Sequence, residues 1–400
     1  RSPEAFRQSK EELFHIQNSR KARRGGLEGL RDAGFLTRKR EAENALRARI
    51  AADPKKQAAY GEAWDKIAAA RMVLAAIARP YNFLERGLAF DSDLFRIART
   101  LVRLADEKAK PNADRLKEFR ESALPSLELQ LYSTAPIYPE FEEARLAHAL
   151  AFWKKNMPHD PMVWHVLRGR EPEAVAKELV AGSKLADVDV RKKLAAGGRD
   201  AILASDDPMI KLALTVDAAA RAFRKTFEEQ VDGVETAQYA LISKALFEEL
   251  GESVYPDATF TLRLAFGTVK GYEQDGKTIP PYTTIGGAFE HEKAHGAEPP
   301  YRLPESWHRA KDAGRLKLDT PLDFVSTADI IGGNSGSPVV NRNNEVVGLI
   351  FDGNIQSLVL DFGYDDKQAR AVSVDSRALL EALRSIYGAE RIVHELTGGR

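Results

Sequence analysis

The stretch GGNSGSPVV, residues 332–340, decides how this chain is read. Three glycines and two serines stand ahead of a proline and a valine pair, in a chain otherwise rich in Ala, Leu, Glu, Lys and Arg. Glycine enters backbone regions closed to other residues. Gly332, Gly333 and Gly336 therefore predict a sharp bend that presents the hydroxyl of Ser335. A nucleophilic serine needs such a bend, backbone donors for an oxyanion, and a base. The amides of Gly333 and Ser335 are candidates for the two donors, each worth roughly 2.7–4 kcal/mol. The base has to be a histidine from elsewhere in the fold.

Working outward, SPVVNRNNEVVGLIF reads as two strands, residues 339–340 and 346–351, joined by a turn in which Asn343 and Asn344 tolerate positive φ. Upstream, YPDATFTLRLAFGTVKGY (255–272) alternates Phe260, Leu262, Leu264 and Phe266 with Thr261, Arg263 and Ala265, the period of a half-buried strand. SRALLEALRSIYG, downstream, predicts a closing helix. Before Gly251 the pattern is helical almost throughout. In DSDLFRIARTLVRLADEKAKP (91–111), Leu94, Ile97, Leu101 and Leu104 share one face and Arg96, Arg99 and Arg103 another, with a cap at Asp91, Ser92 or Asp93 and a stop at Pro111. YGEAWDKIAAARMVLAAIARP (60–80) places Tyr60, Trp64, Ile67, Leu74 and Ile77 near one stripe that Pro80 ends. Helices are also expected in 141–156, 208–230 and 235–250. Ser2 and Pro3 read as an N-cap and first helical residue. The expectation is an α+β chain: a helical domain over 1–251, then a mostly β domain over 252–400 that ends in a helix.

At 400 residues and 44% apolar content the chain is long and apolar enough for more than one folded core. Lys plus Arg and Asp plus Glu are equal at 59 each, which gives no basic excess for a nucleic-acid partner. Without cysteine there is neither a disulfide framework nor thiol chemistry. No apolar run approaches the ~18 residues of a membrane span. The first residues lack the apolar stretch of a signal peptide. They begin inside a helical pattern, as a piece of a longer chain would.

GNSGSPVV, the hairpin behind it and VVGLIFDG resemble the C-terminal barrel of chymotrypsin-like serine peptidases, whose G-D-S-G-G-P motif carries the nucleophile. Ser335 takes that place, Asn334 replaces the Asp, and Ser337 replaces the second Gly. The Asn cannot form the ion pair with a processed N-terminus that activates trypsin-like zymogens. Across residues 254–383 the chain resembles a narrower family, the S46 dipeptidyl peptidases of the dipeptidyl peptidase 7 and 11 kind, and QNSRKARRGGLEGLRDAGFLTRKRE (17–41) extends the likeness into the helical part. The resemblance implies half of a chymotrypsin-like double β-barrel behind a helical capping domain. It also implies a serine exopeptidase that removes dipeptides from free N-termini, needs no cofactor, forms a homodimer and works in the periplasm or at the surface of a Gram-negative bacterium. It assigns the substrate's ammonium to Asp352, with Asn18 assisting, because a buried ammonium needs a charge partner. Acid-specific members carry Arg where this chain has Gly353, so a hydrophobic P1 residue is expected.

In that family the triad His and Asp precede the helical insertion. The eight histidines here, 15, 148, 159, 165, 291, 295, 308 and 394, stand in other contexts. The expectation is a C-terminal fragment that lacks both groups and would expose the apolar face of its half-barrel. An alternative is a fragment that binds peptides without cleaving them. A rival motif is HEKAH (291–295), which fits H-E-x-x-H with Glu292 as base of a zinc peptidase. The chemistry needs a helix and a third ligand, for which Glu298 and Glu305 are conceivable. The flanking Gly286, Gly287, Gly296, Pro299 and Pro300, and the family resemblance, predict a loop there and no metal.

Overall fold

The computed structural model of the chain describes residues 3–251, 262–360 and 362–398. Contacts divide it into two units: Arg1–Phe14 with Ala45–Val254, and His15–Asn44 with Tyr255–Arg400. The expected 1–251 and 252–400 division treated 15–44 as part of the helical domain, and these residues group instead with the second unit. Within that unit the reason is close packing. Gly29, on helix Pro3–Leu30, presents so little bulk that a Cβ there would lie 2.6 Å from Val359 Cγ2, and one at Gly25 would fall on the Leu358 side chain.

The first unit is helical, as its periodicity predicts. Helix Asp93–Lys108 is capped by Ser92, whose side chain accepts from the Phe95 amide, and it buries Leu94, Ile97, Leu101 and Leu104. These residues join apolar side chains of helices Pro139–Asn156, Pro172–Gly182 and Pro208–Phe227 in one core around the fully buried Trp153. Each large aliphatic or aromatic side chain so buried contributes roughly 1.5–3 kcal/mol. Arg103 departs from the expected solvated face. It is buried, its Nε donates to Asp217 at 2.6 Å, and its two terminal nitrogens bond Glu85 at 2.9 and 2.6 Å. The helix expected over 60–80 is two helices, Pro54–Tyr60 and Ala63–Pro80, and Pro80 does not stop the chain, which runs on through a π-helical turn, Tyr81–Glu85. Ser2, the expected cap, lies outside the described residues.

The second unit contains two antiparallel sheets. β1 (Tyr272–Gln274) and β2 (Lys277–Ile279) form a hairpin through Asp275 and Gly276, both at positive φ. The other five strands are β3 (Tyr282–Thr284), β4 (Pro321–Ser326), β5 (Pro338–Val340), β6 (Val346–Gly353) and β7 (Ala371–Asp375). They pair in the order β3-β4-β7-β6-β5. The β5–β6 hairpin matches the expected one, with Asn344 at φ 62° in its turn. Helix Ser376–Ser385 follows β7, capped by Asp375, where a helix was expected, but it does not close the chain: a further helix, Glu390–Leu396, comes after it. A small core of Ile285, Phe289, Ala310 and Leu316 lies beside β4, which adds Leu322 to it.

Two expectations are corrected. Among the described residues the five-stranded sheet is open, with β3 and β5 as unpaired edges of three residues each, so no closed barrel forms. The strand expected over 255–272 lies partly outside the described residues. From Leu262 to Thr268 it is irregular, and the first pairing is the bridge Val269–Ser326. Alternation marks a strand only where a neighbouring strand receives it; here Leu262, Leu264 and Phe266 are exposed.

Candidate active site

Ser335 stands at an exposed bend between β4 and β5, and two positive-φ glycines bracket it, Gly333 at 105° and Gly336 at 86°. A Cβ on either would meet open space, so the glycines serve the backbone path and not a close approach. Asn334 closes the bend from within: its Oδ1 accepts from the Ile331 amide at 3.0 Å, and its own amide donates to the Ile331 carbonyl. The Asn that replaces the motif's Asp thus has a local structural partner. Downstream the bend is pinned to β6, with the Gly336 amide donating to the Ile350 carbonyl at 2.7 Å and the Ile350 amide to the Ser337 carbonyl at 3.1 Å.

The amides of Asn334 and Gly336, and that of Ser337, which donates to the Asn334 carbonyl at 3.0 Å, are thus used internally. Those of Gly333 and Ser335, the two proposed as oxyanion donors, have no hydrogen-bond acceptor among the described residues. Unpaired backbone amides on a turn are the kind of donor that holds an anion. Ser335 Oγ donates to the Phe351 carbonyl over a long 3.4 Å, and no histidine bonds it among the described residues.

Phe351 is a bulge residue. The β6–β7 register shifts between Ile350 and Asp352, which face Ser373 and Val372 respectively, so Phe351 is left over. A bulge frees a carbonyl and re-aims the side chains beside it. Here the freed carbonyl meets Ser335, and the re-aimed side chain is Asp352. Its Oδ1 accepts from the Gly353 amide at 2.8 Å, and its Oδ2 accepts from Lys21 Nζ at 2.6 Å. The segment behind is held firmly. Asn354 Oδ1 accepts from the amides of Ser357 and Arg370, and the buried Arg370 guanidinium donates to the carbonyls of Lys270, Gly271, Asp366 and Ala369.

Lys21 was not anticipated. It sits in RKARR, a run that reads as a solvated helix face, and only its place three residues after Asn18 could have drawn notice. Asn18 is exposed one helical turn away on the same face, and no hydrogen bond joins it to Asp352 or Ser335. Gly353 has a packing role: an added Cβ would collide with the buried Ser357 hydroxyl, so its missing side chain faces the interior turn and not open space.

HEKAH is not a loop. Residues 291–294 belong to helix Ile285–Ala294, with His295 at its C-terminal cap, and the helix starts just before the glycines because Thr284 caps it, accepting from the Gly287 amide at 3.1 Å. Glu292 faces inward and is buried, accepting from the Leu303 amide at 2.8 Å and facing His308 Nε2 at 3.1 Å. The bond from Leu303, followed by that from His308, holds this carboxyl below the usual carboxylate range. His291 and His295 are exposed; His295 stacks on Tyr301 and His291 meets the same ring edge-on. Glu292 is thus committed away from the two histidines. No group of three or more metal-ligating side chains gathers among the described residues.

The bend thus carries two unused amides and a hydroxyl, one bulge away from a carboxylate. A sequence profile described as Peptidase S46 matches residues 1–398. The chain belongs to the peptidase S46 family. Among curated relatives, Dipeptidyl-peptidase 7 of Phocaeicola vulgatus is 43% identical over 148 residues, 36% of this chain and 20% of that protein. Dipeptidyl-peptidase 7 of Porphyromonas endodontalis is 29% identical over 384 residues, 92% of this chain and 45% of the relative. The crystal structure of Porphyromonas endodontalis DPP11 with the dipeptide Arg-Glu shares the fold at a TM-score of 0.73 and 21% identity, over 99% of this chain and 57% of that one. The chain spans less than half the length of these curated relatives.

Proposed function

We propose that this S46 chain belongs to a serine exopeptidase that releases dipeptides from free peptide N-termini. The observation that carries the reading is the pair of unpaired amides, Gly333 and Ser335, beside the Ser335 hydroxyl. Ser335 Oγ attacks the scissile carbonyl as its proton passes to a base, and the two amides receive the oxyanion. The C–N bond then breaks, the leaving amine takes the proton, and water hydrolyses the ester. The base and its orienting Asp are, on the family resemblance, outside this sequence. Asp352 anchors the substrate's ammonium, and Asn18 assists from the helix one turn away from Lys21.

The P1 residue is apolar on this reading. Position 353 carries no cation, Ile331 beside the bend is exposed, and Phe351, whose carbonyl meets Ser335, is exposed as well. Names among the relatives point both ways, to Dipeptidyl-peptidase 7 and to the Asp/Glu-specific dipeptidyl-peptidase of Porphyromonas gingivalis, the latter 30% identical over 207 residues. The same reading carries a homodimer and a periplasmic or surface setting.

The test is hydrolysis of dipeptidyl substrates by the full-length gene product, with Ala, Leu, Asp or Lys at P1. Ser335→Ala is expected to lower kcat by at least about 10³-fold with the fold intact. Equal activity in the variant excludes Ser335 as nucleophile, and a preference for Asp at P1 excludes the apolar pocket. A chain that captures peptides without cleaving them is the second reading, and it rests on Ser335 Oγ bonding the Phe351 carbonyl and no histidine among the described residues. It predicts dipeptide binding with no turnover even in the full-length protein.

A further inference from the structure

We propose that Lys21 is an internal competitor for the carboxylate that receives the peptide's α-ammonium. Its Nζ holds Asp352 while the site is empty, and a free N-terminus exchanges one ammonium for the other. The inference rests on the reading of Asp352 as the amine anchor.

The two oxygens of Asp352 are not equivalent. Oδ1 is tied to the backbone through the Gly353 amide at 2.8 Å, whereas Oδ2 bears Lys21 Nζ at 2.6 Å. The group on Oδ2 is a primary ammonium with three donors, the chemical species that a peptide N-terminus brings. Lys21 therefore occupies the spot such a ligand would take. Two ammoniums on one oxygen repel each other, so arrival of the second favours departure of the first.

The surroundings suit an exchange. Both side chains are about two-fifths exposed, and a lysine on its flexible stem swings into water without moving the backbone. The helix beneath it is held against Leu358 and Val359 by Gly25 and Gly29, so the arm moves and its base does not. The consequence is a carboxylate neutralised in the empty site and a weakened hold on any dipeptide that keeps its ammonium. Product release gains from that weakening, a step that limits turnover in many enzymes.

The experiment is calorimetric titration of the full-length protein with Val-Leu and with N-acetyl-Val-Leu, comparing wild type, Lys21→Met, Lys21→Gln, Lys21→Arg and Asp352→Asn, each checked for folding by thermal melting. Because exposed ion pairs are weak, Lys21→Met and Lys21→Gln are expected to bind Val-Leu only about three- to fivefold more tightly. Lys21→Arg should stay near wild type, and the acetylated dipeptide should gain nothing, so discrimination between free and blocked termini widens. Equal or weaker binding of Val-Leu by both neutral variants overturns the exchange and makes Lys21 a support of the carboxylate. Asp352→Asn separates the two ideas. If it loses the preference for the free amine while the Lys21 variants change nothing, the anchor stands and the exchange falls. If it keeps that preference, the anchor reading falls and takes the exchange with it.

Discussion

Lys21 and Asp352 lie 331 residues apart in the chain and 2.6 Å apart in space. The contact exists because a bulge at Phe351 re-aims Asp352 and because two glycines let the lysine's helix approach the segment that follows β6.

Replacing Gly29 by Ala should disturb that approach. The new methyl would sit 2.6 Å from Val359 Cγ2, too close for either group. Overpacking of this kind costs about 1–3 kcal/mol. A lower midpoint of denaturant unfolding is expected, together with a changed affinity for amine-bearing dipeptides. Wild-type stability in the variant contradicts the packing account.

Gly333→Ala tests the bend without filling any space. Its φ of 105° is strained for alanine, at roughly 1–3 kcal/mol, and no atom lies within 4 Å of the new Cβ. The bend is expected to relax by rotating the Gly333 amide, so kcat should fall while KM changes little. A variant that instead loses substrate affinity at constant kcat points to a ground-state role for the loop.

Arg103→Met removes one cation from between two buried carboxylates, Glu85 and Asp217. Asp217 keeps Arg221 and Glu85 keeps Arg224 at 3.6 Å, so losing the central cation is expected to destabilise the helical unit by about 1–3 kcal/mol, measurable by denaturant unfolding. Burial alone would lower the Arg103 pKa, but its bonds to Glu85 and the field of Asp217 raise it overall, so Arg103 should keep its charge, and the network its cation, as pH rises into the alkaline range.

Glu292 gives a pH test. Its folded pKa is depressed, first by the Leu303 amide and then by His308. A depressed carboxyl contributes stability above its ordinary pKa, and the contribution is lost as pH falls through the folded value. Wild type should therefore melt higher than Glu292→Gln at neutral pH, and the two curves should converge on acidification. A gap that stays constant down to strongly acid pH would refute this assignment.

Gly353→Arg addresses the side-chain preference and its limit. The arginine's Cβ would strike the Ser357 hydroxyl, so the single variant should be unstable. Adding Ser357→Gly should restore stability with a coupling of about 0.5–3 kcal/mol, and the folded double variant is expected to gain cleavage after acidic residues.

Much was legible locally. The bend at Ser335, the Asn-bearing hairpin behind it, the helix after Asp375 and the apolar face of 93–108 all follow from short patterns whose physics is local. A glycine bracket, a turn pair or a 3.6-residue period acts within a few residues. Arg103 was misread for the same reason: a charge beside an apolar stripe looks solvated until Asp217, 114 residues on, is placed against it. Leu262, Leu264 and Phe266 alternate as a strand does, yet alternation cannot supply the neighbour that a ladder needs.

Sequence alone determined that a serine is presented on a glycine-bounded turn ahead of a β-hairpin, since those conformations depend on neighbours in the chain. Tertiary structure decided what surrounds that serine: which amides stay unpaired, where a bulge turns Asp352, and which lysine reaches it. Such contacts join residues remote along the chain, and they form only once glycine-thin surfaces and sheet register bring them within hydrogen-bonding distance.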